Sequence, residues 1–534
     1  MKFRKLIFTA VSVLALTTLA GCLRPPMPPT SETPTTSSGG GGPTEKIEVK
    51  FWTGFGASVT GALNPLFARF EQENPDIKVL YESKGGYPNL QQAINGSIST
   101  NTYPHIANGY PDHLVGYINA NILVNLGNPT NYINHPDYGV DINEYNSDYM
   151  AEINGLSDAA TFGLPFNKST EVMIANQSFF DAAKAATKDE DESIFIPKTW
   201  QDLAEVGPKL KAVAKNNGWF GKLVLKDGTA VAKPAEFDAA LKEQVAVDMT
   251  LVNENQFIPF SWDSASNFFI TIIRQWGAMY TEKGNTIQNG YIRFQEEPHR
   301  TKTLAALSYF KELYEAGLIG LPDNFGEPLY SSTPFKEGKL VLTISSSAGV
   351  GENLPGGTTE YPFELSINPI PYNGDLAAQK SVIAQGTNLA LFTVGQGRDP
   401  KAQAERLAAW RLLRFLTYEA NYEFGKATSY FPVLDASKID RDSQRYQDYL
   451  MYSDFLDQTD GTPREKVIRS TAKLQANVYM DPEEGWNKFV DPGFLGSSEI
   501  RNTIESVMAE LFKGKTPEQV LNDTVTKLAR YVQK

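Results

Sequence analysis

"KIEVKFWTGFGASVTGALNPLFARFEQENPDIKVLYESKGGY", residues 46–87, sets the fold class. Lys46 to Phe55 alternates and then runs apolar into Gly54 and Gly56, the pattern of a strand entering a tight loop. Leu63, Leu66, Phe67 and Phe70 then recur at helical spacing, up to a stop at Asn74-Pro75. "DIKVLYESKG" reads as the next strand. Further on, "NLQQAINGSIS" has helical spacing, and "PHIANGYPDHLVGYINANILVNL" reads as a short strand, a loop and a helix. Strand and helix alternating at this spacing predict α/β units on a mainly parallel sheet. In such sheets ligands sit beyond the carboxyl ends of the strands, which singles out Gly54-Phe55-Gly56, Gly85-Gly86-Tyr87 and Gly109-Tyr110-Pro111-Asp112.

The rhythm returns after "TFGLPFNKSTEVMIAN". "PKTWQDLAEVGPKLKAVAK" predicts a helix capped by Thr199, with Asp202 three residues on in a capping-box arrangement. Helices are also expected at "SASNFFITIIRQWGAMY", "TKTLAALSYFKELYEAG", "KAQAERLAAWRLLRFLTYEANYEFGKA" and "SSEIRNTIESVMAELFKG", and strands at "KLVLTIS" and "NLALFTV". The weakly patterned stretches 131–154, 221–259 and 440–482 read as surface insertions.

Before the first strand the chain is of another kind. Lys2, Arg4 and Lys5 precede an apolar run from Leu6 to Leu19, the build of a secretory leader. The 534 residues hold one cysteine, Cys22, in Leu19-Ala20-Gly21-Cys22, which resembles the bacterial lipobox. That resemblance implies cleavage after residue 21 and a diacylated Cys22 that anchors the protein to a membrane, two acyl chains holding far better than one. With the thiol consumed, neither a disulfide nor a cysteine nucleophile is expected. Residues 23–44 are Pro, Thr, Ser and Gly without an aromatic, so residues 22–44 read as lipidated cysteine plus tether, with the folded part starting at Glu45.

Composition narrows the function. Net charge is −13, more negative still without the basic leader, and no Lys/Arg-rich run exists, which argues against nucleic acid as a partner. Only His105, His113, His135 and His299 occur, none spaced for a shared metal, so neither metal nor cofactor is expected. G-x-S-x-G, H-E-x-x-H and P-loop motifs are absent. A surface glycosidase acting through two carboxylates is the rival from another class, but among 62 Asp and Glu some pair always lies at plausible spacing.

Seven pieces then resemble, in order, one family: "LPFNKSTEVMIANQSFF", "IPKTWQDLAEVGPKLK", "FKEGKLVLTISSSAGV", "INPIPY", "QGTNLALF", "LRFLTYEANYEFGKATSYFPV" and "GKTPEQVLNDTV". The family is the extracellular solute-binding proteins of bacterial ABC importers, of the maltodextrin and glycerol-phosphate type. The resemblance implies a non-enzymatic, monomeric, extracytoplasmic protein with a two-lobe α/β periplasmic-binding-protein fold and three hinge crossings. These are expected at Gly163-Leu164-Pro165, Pro369-Ile370-Pro371 and Tyr430-Phe431-Pro432, where proline restricts bending. Lobe one would be residues 45–162 plus 374–429, and lobe two residues 163–373 plus 430–534. The partners implied are a small solute and the membrane permease.

Matched residue by residue, the resemblance nominates Tyr87 in "SKGGYPNL", and Tyr110 and Asp112 after the third strand. It also nominates Ser169 and Glu171 in "PFNKSTE", Ser346 and Ser347 in "TISSSAG", Gln385 and Gly386 in "AQGTN", and Trp262 as an aromatic platform for a sugar. A carboxylate such as Asp112 suits sugar hydroxyls because it accepts two hydrogen bonds. One departure decides the ligand expected. The glycerol-phosphate branch carries an arginine about eight residues before the "IR" of the last helices, and here Gly493-Phe494 occupies that place. A phosphodianion without a cationic partner binds poorly in a closed cleft, so a neutral sugar or oligosaccharide is expected before glycerol 3-phosphate or its diesters.

Overall fold

The alternation read in residues 46–87 is realised as strand β1 (Ile47–Thr53), helix Ala57–Glu73, strand β2 (Ile77–Ser83) and helix Tyr87–Ser97. Strand β3 (Ile106–Gly109) and helix Pro111–Asn119 complete the pattern. β1 pairs in parallel with both β2 and β3, so the three loops singled out above emerge at the same end of the sheet. In the computed structural model, residues 45–188, 193–236, 238–355, 362–395, 399–529 and 531 are described; the leader, Cys22 and the tether lie outside them.

Seven more strands complete a ten-stranded sheet: β4 (Leu164–Asn176), β5 (Phe260–Trp262), β6 (Ile319–Gly320), β7 (Leu342–Ser346), β8 (Leu365–Asn368), β9 (Ser381–Leu391) and β10 (Asn487–Phe489). The order is β6-β5-β7-β4-β9-β3-β1-β2, with β8 also against β4 and β10 also against β9. β4 and β9 are therefore shared by both halves. Residues 164–170 of β4 pair antiparallel with β9, while from Glu171 onward the strand pairs with β7 and β8. All 13 residues of β4 are buried, as expected of a central strand covered on both faces.

The cores follow this change of partner. Leu164 and Phe166 pack with Val49, Phe51, Leu63 and Trp410, whereas Val172 to Ala175 pack with Phe179, Trp200, Phe260 and Phe268. On β9, Val382 and Ile383 belong to the second core and Leu389 and Leu391 to the first. A third, smaller core around Leu90, Leu114 and Phe392 covers the other face of the first half.

Helix boundaries follow local chemistry. The helix Trp200–Asn216 opens with the capping box expected at Thr199: its hydroxyl accepts from Asp202 N–H (3.0 Å), and the Asp202 carboxylate accepts from Thr199 N–H (2.9 Å). Two of the helical readings are instead segmented. A π-turn, Phe415–Glu419, separates helices Pro400–Arg414 and Asn421–Thr428, and within it the Thr417 hydroxyl bonds the Leu413 carbonyl. The last run divides into Ser497–Ile504 and Val507–Phe512, where the Thr503 and Ser506 hydroxyls also bond main-chain carbonyls.

The stretches read as insertions contribute to the cores. Met150 and Ile153 are buried, and residues 221–259 hold a three-stranded sheet (Leu223–Leu225, Ala230–Val231, Val245–Asp248) with Val247, Met249 and Phe257 in the second core. Residues 440–482 form helices Gln444–Asp457 and Pro463–Leu474. Their polar composition conceals them, because each buries only a narrow stripe.

Chain beyond Tyr430-Phe431-Pro432 stays with the first core, through Val433, Leu434, Ile439, Tyr452, Phe455 and Ile468. Val467, Leu474 and Tyr479 join the second, so the change of core falls within helix Pro463–Leu474. A π-turn, Gln475–Tyr479, ends that helix and buries Tyr479. Its hydroxyl accepts the Ile370 N–H (2.9 Å) and donates to the Glu171 carbonyl (3.1 Å), tying β4 to the Pro369-Ile370-Pro371 segment. Tyr479→Phe removes both of these buried hydrogen bonds, and is expected to lower stability by about 1–3 kcal/mol in denaturant titration.

Candidate functional site

The loops after β1, β2 and β3 are pressed together. A Cβ on Gly54 would lie 2.8 Å from the Tyr87 nitrogen, so this close approach requires glycine. The Gly54 N–H donates to Asn108 Oδ1 (3.2 Å), Asn108 Nδ2 to the Thr387 hydroxyl (3.0 Å), and that hydroxyl to Asn167 Oδ1 (2.5 Å). Asn167 Nδ2 then donates to the Tyr87 hydroxyl (3.3 Å). One buried polar chain thus links β1, β3, β9 and β4 to the second loop.

Around it stands a wall of rings. Tyr87 lies 4.8 Å from Tyr110 between ring centroids, and Phe55 lies 6.4 Å from Tyr87 and 6.1 Å from Tyr430. Tyr430 stacks on Phe424 at 5.6 Å. Burial holds the Tyr87 and Tyr110 phenols above their ordinary pKa, so both are neutral donor–acceptors. Tyr87 and Tyr110 are the residues expected here; Phe55 and Tyr430 join them.

The opposite wall is acidic. Glu171 Oε1 accepts from Trp262 Nε1 (2.9 Å) and Asn267 Nδ2 (2.9 Å), while Oε2 is buried without a partner. Burial raises this carboxyl to about 7 against those donors. Asp263 accepts from both the N–H (2.8 Å) and the hydroxyl (2.5 Å) of Ser331, and burial raises its pKa too. Arg501 is held by Asp491 and by Asn267 Oδ1, and it is electrostatically coupled to Asp112 and Tyr110 from the other half. Asp112, half-buried in the first turn of helix Pro111–Asn119, is thereby placed between the walls.

Ser169 lies opposite Gln385 across β4 and β9, and Gly386 lies opposite Lys168. Ser346 caps the short helix Ser347–Asn353 by accepting the Ala348 N–H (3.3 Å). Ser347 is fully buried, its hydroxyl accepting the Thr170 N–H (3.1 Å). Trp262 departs from the platform expected of it. It is completely buried, 4.5 Å from the Phe268 ring and 5.8 Å from Trp200, and its role here is the hydrogen bond to Glu171. Trp52 is half-buried under the Lys84 ammonium at 3.7 Å.

Lys168 is turned away from Ser169 into a buried ion pair with Glu152 (2.6 Å), as alternation along a strand requires. Arg501 was passed over in the sequence, serving there only as a landmark for a missing upstream arginine. Its partner Asp491 is ten residues distant, and no helical or strand period joins the two. Among the described residues no group of three His, Cys, Asp or Glu could hold a metal ion, and no helix is long and apolar enough to cross a membrane.

Residues 65–450 match the bacterial extracellular solute-binding protein family. The chain belongs to that family. It is 25% identical over 402 residues to the sn-glycerol-3-phosphate-binding periplasmic protein UgpB of Shigella dysenteriae, covering 73% of this chain and 75% of that protein. Among solved structures it resembles an ABC substrate-binding protein from Listeria monocytogenes in complex with cycloalternan, with TM-score 0.61, 16% identity and coverage of 91% of this chain and 99% of that one. It also resembles UgpB from Mycobacterium tuberculosis in complex with glycerophosphocholine, with TM-score 0.61, 17% identity and coverage of 91% and 98%. These likenesses bear out the two-lobe α/β periplasmic-binding-protein fold and a solute-binding protein of ABC import.

The site carries a pH signature. The Glu171 carboxyl, ordinarily 4.5, titrates near 7 in the folded chain, so between those values the folded state holds a proton that the unfolded state releases. Stability from this group is complete below about pH 4.5 and declines as pH rises through 7. Glu171→Gln removes that dependence. The melting temperature of the variant relative to the parent is expected to rise between pH 5 and pH 8; a constant difference would show that Glu171 titrates normally.

Proposed function

We propose that the protein captures a neutral sugar or oligosaccharide between its two lobes and passes it to the membrane permease of an ABC importer. The observation that carries this reading is the charge balance of the site. Four carboxyl groups, Asp112, Glu171, Asp263 and Asp491, stand around Arg501, which is already held by Asp491 and Asn267. Carboxylates of this kind accept sugar hydroxyls, and tyrosine rings offer apolar faces to the C–H surfaces of a pyranose. A phosphate dianion would meet carboxyl groups and an arginine that is already paired, and Lys168 is committed to Glu152.

Glycerol 3-phosphate or a glycerophosphodiester is the second reading. Arg501 favours it, since a phosphate could compete with Asp491 for the guanidinium, and UgpB of Shigella dysenteriae is named for that ligand. A surface glycoside hydrolase is a third, and nothing in the geometry favours it.

The ligand contacts follow from the same reading. Tyr87, Tyr110 and Asp112 would act from the first lobe; Glu171, Ser346 and the Ser347 backbone from the second; and Ser169, Gln385 and Gly386 where β4 and β9 cross between them. Core membership leads us to place the crossings within residues 167–171 of β4, within residues 384–388 of β9, and along helix Pro463–Leu474 near Val467 and Ile468. The last two lie beyond the proline segments expected from sequence. A diacylated Cys22 would hold the protein at the outer face of the cell membrane, keeping it at high effective concentration beside the permease.

A thermal-shift screen of the chain from residue 23 tests the reading, using maltodextrins, other neutral di- and oligosaccharides, glycerol 3-phosphate and glycerophosphocholine. A ligand at 100 times its Kd should add about 2.7 kcal/mol of stability. Stabilisation by a sugar, weakened in Tyr87→Ala, is expected. Stabilisation by the phosphate esters alone would replace the neutral ligand with the second reading.

A further inference from the structure

A cavity lies at the end of the first-half sheet that faces away from the three loops. β9 runs antiparallel to β3, with Asn388 opposite Gly109 and Leu391 opposite Ile106, so the chain leaving β9 emerges where β3 begins. There residues 122–124 pair with it: the Val124 N–H donates to the Leu391 carbonyl (2.8 Å) and the Thr393 N–H to the Ile122 carbonyl (2.9 Å). Over this floor, beside helix Pro400–Arg414, is a cavity of about 470 Å³. Asn121, Asn125, Asn128, Asn131, Tyr132 and Arg406 line it. In the chain as a whole Asp and Glu outnumber Lys and Arg by 62 to 49, yet neither acid is among the described residues lining this cavity.

Its polar groups are oriented before any ligand arrives. Asn125 Oδ1 accepts the N–H groups of Gly127 (2.9 Å) and Thr161 (3.1 Å). Asn128 Oδ1 accepts the N–H (3.1 Å) and the hydroxyl (3.4 Å) of Thr130. Each amide oxygen is thus engaged, and among the described residues neither Nδ2 has an acceptor. What these two side chains have left to offer the cavity they line is N–H donors. Arg406 adds a guanidinium fixed in the wall, its Nη1 donating to the carbonyls of Val394 (2.9 Å) and Gly395 (2.7 Å). Tyr132 is held at φ +55°, a conformation rare for a bulky residue, with its ring 5.9 Å from Trp410. Donors gathered around an arginine, with no carboxylate beside them, suit an acceptor-rich anion, whose oxygens take several charge-assisted hydrogen bonds at once.

We propose that this cavity is a second ligand site, specific for small oxyanions borne on a carboxylate or a phosphate, and separate from the cleft between the lobes. The inference does not depend on which solute the cleft takes. It does bear on how that solute is recognised: a phosphate ester bound here stabilises the protein without entering the cleft, so stabilisation alone does not assign the ester to it.

Isothermal titration at low ionic strength with inorganic phosphate and with glucuronate tests the site, on the parent, on the double variant Asn125→Asp with Asn128→Asp, and on Tyr87→Ala. Aspartate keeps an oxygen for the same main-chain N–H groups while replacing the two amide donors with carboxylates, so the ligand-free melting temperature is expected to stay near the parental value. Asn131→Asp, at an exposed position, is a further variant expected to weaken binding in the same direction. The expected result is saturable binding of at least one of the two anions, with a Kd about tenfold weaker in the double variant and unchanged in Tyr87→Ala. Which of the two binds identifies the oxyanion that the cavity takes. No saturable binding of either anion, or a parental Kd in the Asp variants, would overturn the proposal. Binding lost in Tyr87→Ala but kept in the double variant would place the anion in the cleft and overturn it as well.

Discussion

Strands β4 and β9 pass each other so closely at Lys168 and Gly386 that a Cβ at position 386 would sit 2.1 Å from the Asn167 carbonyl oxygen. Gly386 also has φ +105°, a conformation that other residues rarely adopt. The bulge just beyond it, between Thr387 and Asn388, lets the ladder shift register where the two halves meet. Much else follows from this contact. It turns Asn167 and Thr387 towards one another, and through them fixes the Tyr87 hydroxyl and the loop after β1. On the other side of the strand it sends Lys168 to Glu152 and leaves Glu171 on the face that meets Trp262 and Asn267.

The two walls differ in what they can offer a ligand because they differ in how their polar groups are satisfied. On the ring side the hydrogen bonds run in a chain of neutral donors and acceptors, Asn108, Thr387, Asn167 and Tyr87, each partnered. On the acidic side carboxyl groups cluster and satisfaction is incomplete: Glu171 Oε2 and Asp491 Oδ1 are buried without partners. A buried polar atom without a partner costs free energy that a bound group can recover, so affinity can be built where the fold itself is least satisfied. The high pKa of Glu171 expresses the same imbalance, with burial outweighing two donated hydrogen bonds.

Backbone restraints between segments are of two kinds in this chain. Proline at Pro165, Pro369, Pro371 and Pro432 restricts local backbone freedom, and its places are visible in the sequence. Tyr479 restrains by hydrogen bonding across more than 100 residues, from a π-turn at the end of an amphipathic helix. A pin of that kind has no local signature, because each of its partners is a main-chain group.

Local pattern carried far in this protein. The strand–helix alternation of residues 46–119, the capping box at Thr199 and Asp202, and the loop positions of Tyr87, Tyr110 and Asp112 all depend on neighbours within a few positions, and they were legible for that reason. The inward face of β4 was legible too, since alternation alone separates Ser169 and Glu171 from Lys168. What the tertiary structure decided were the relations between distant segments. It buried Trp262 behind Glu171, brought Arg501 to Asp491 and Asp112, set Tyr430 against Phe55, and folded residues 433–455 into the first core. Side-chain type and spacing state what a residue is able to bond. Only the crossing of β4 and β9, and the packing that follows from it, determines which partner it meets.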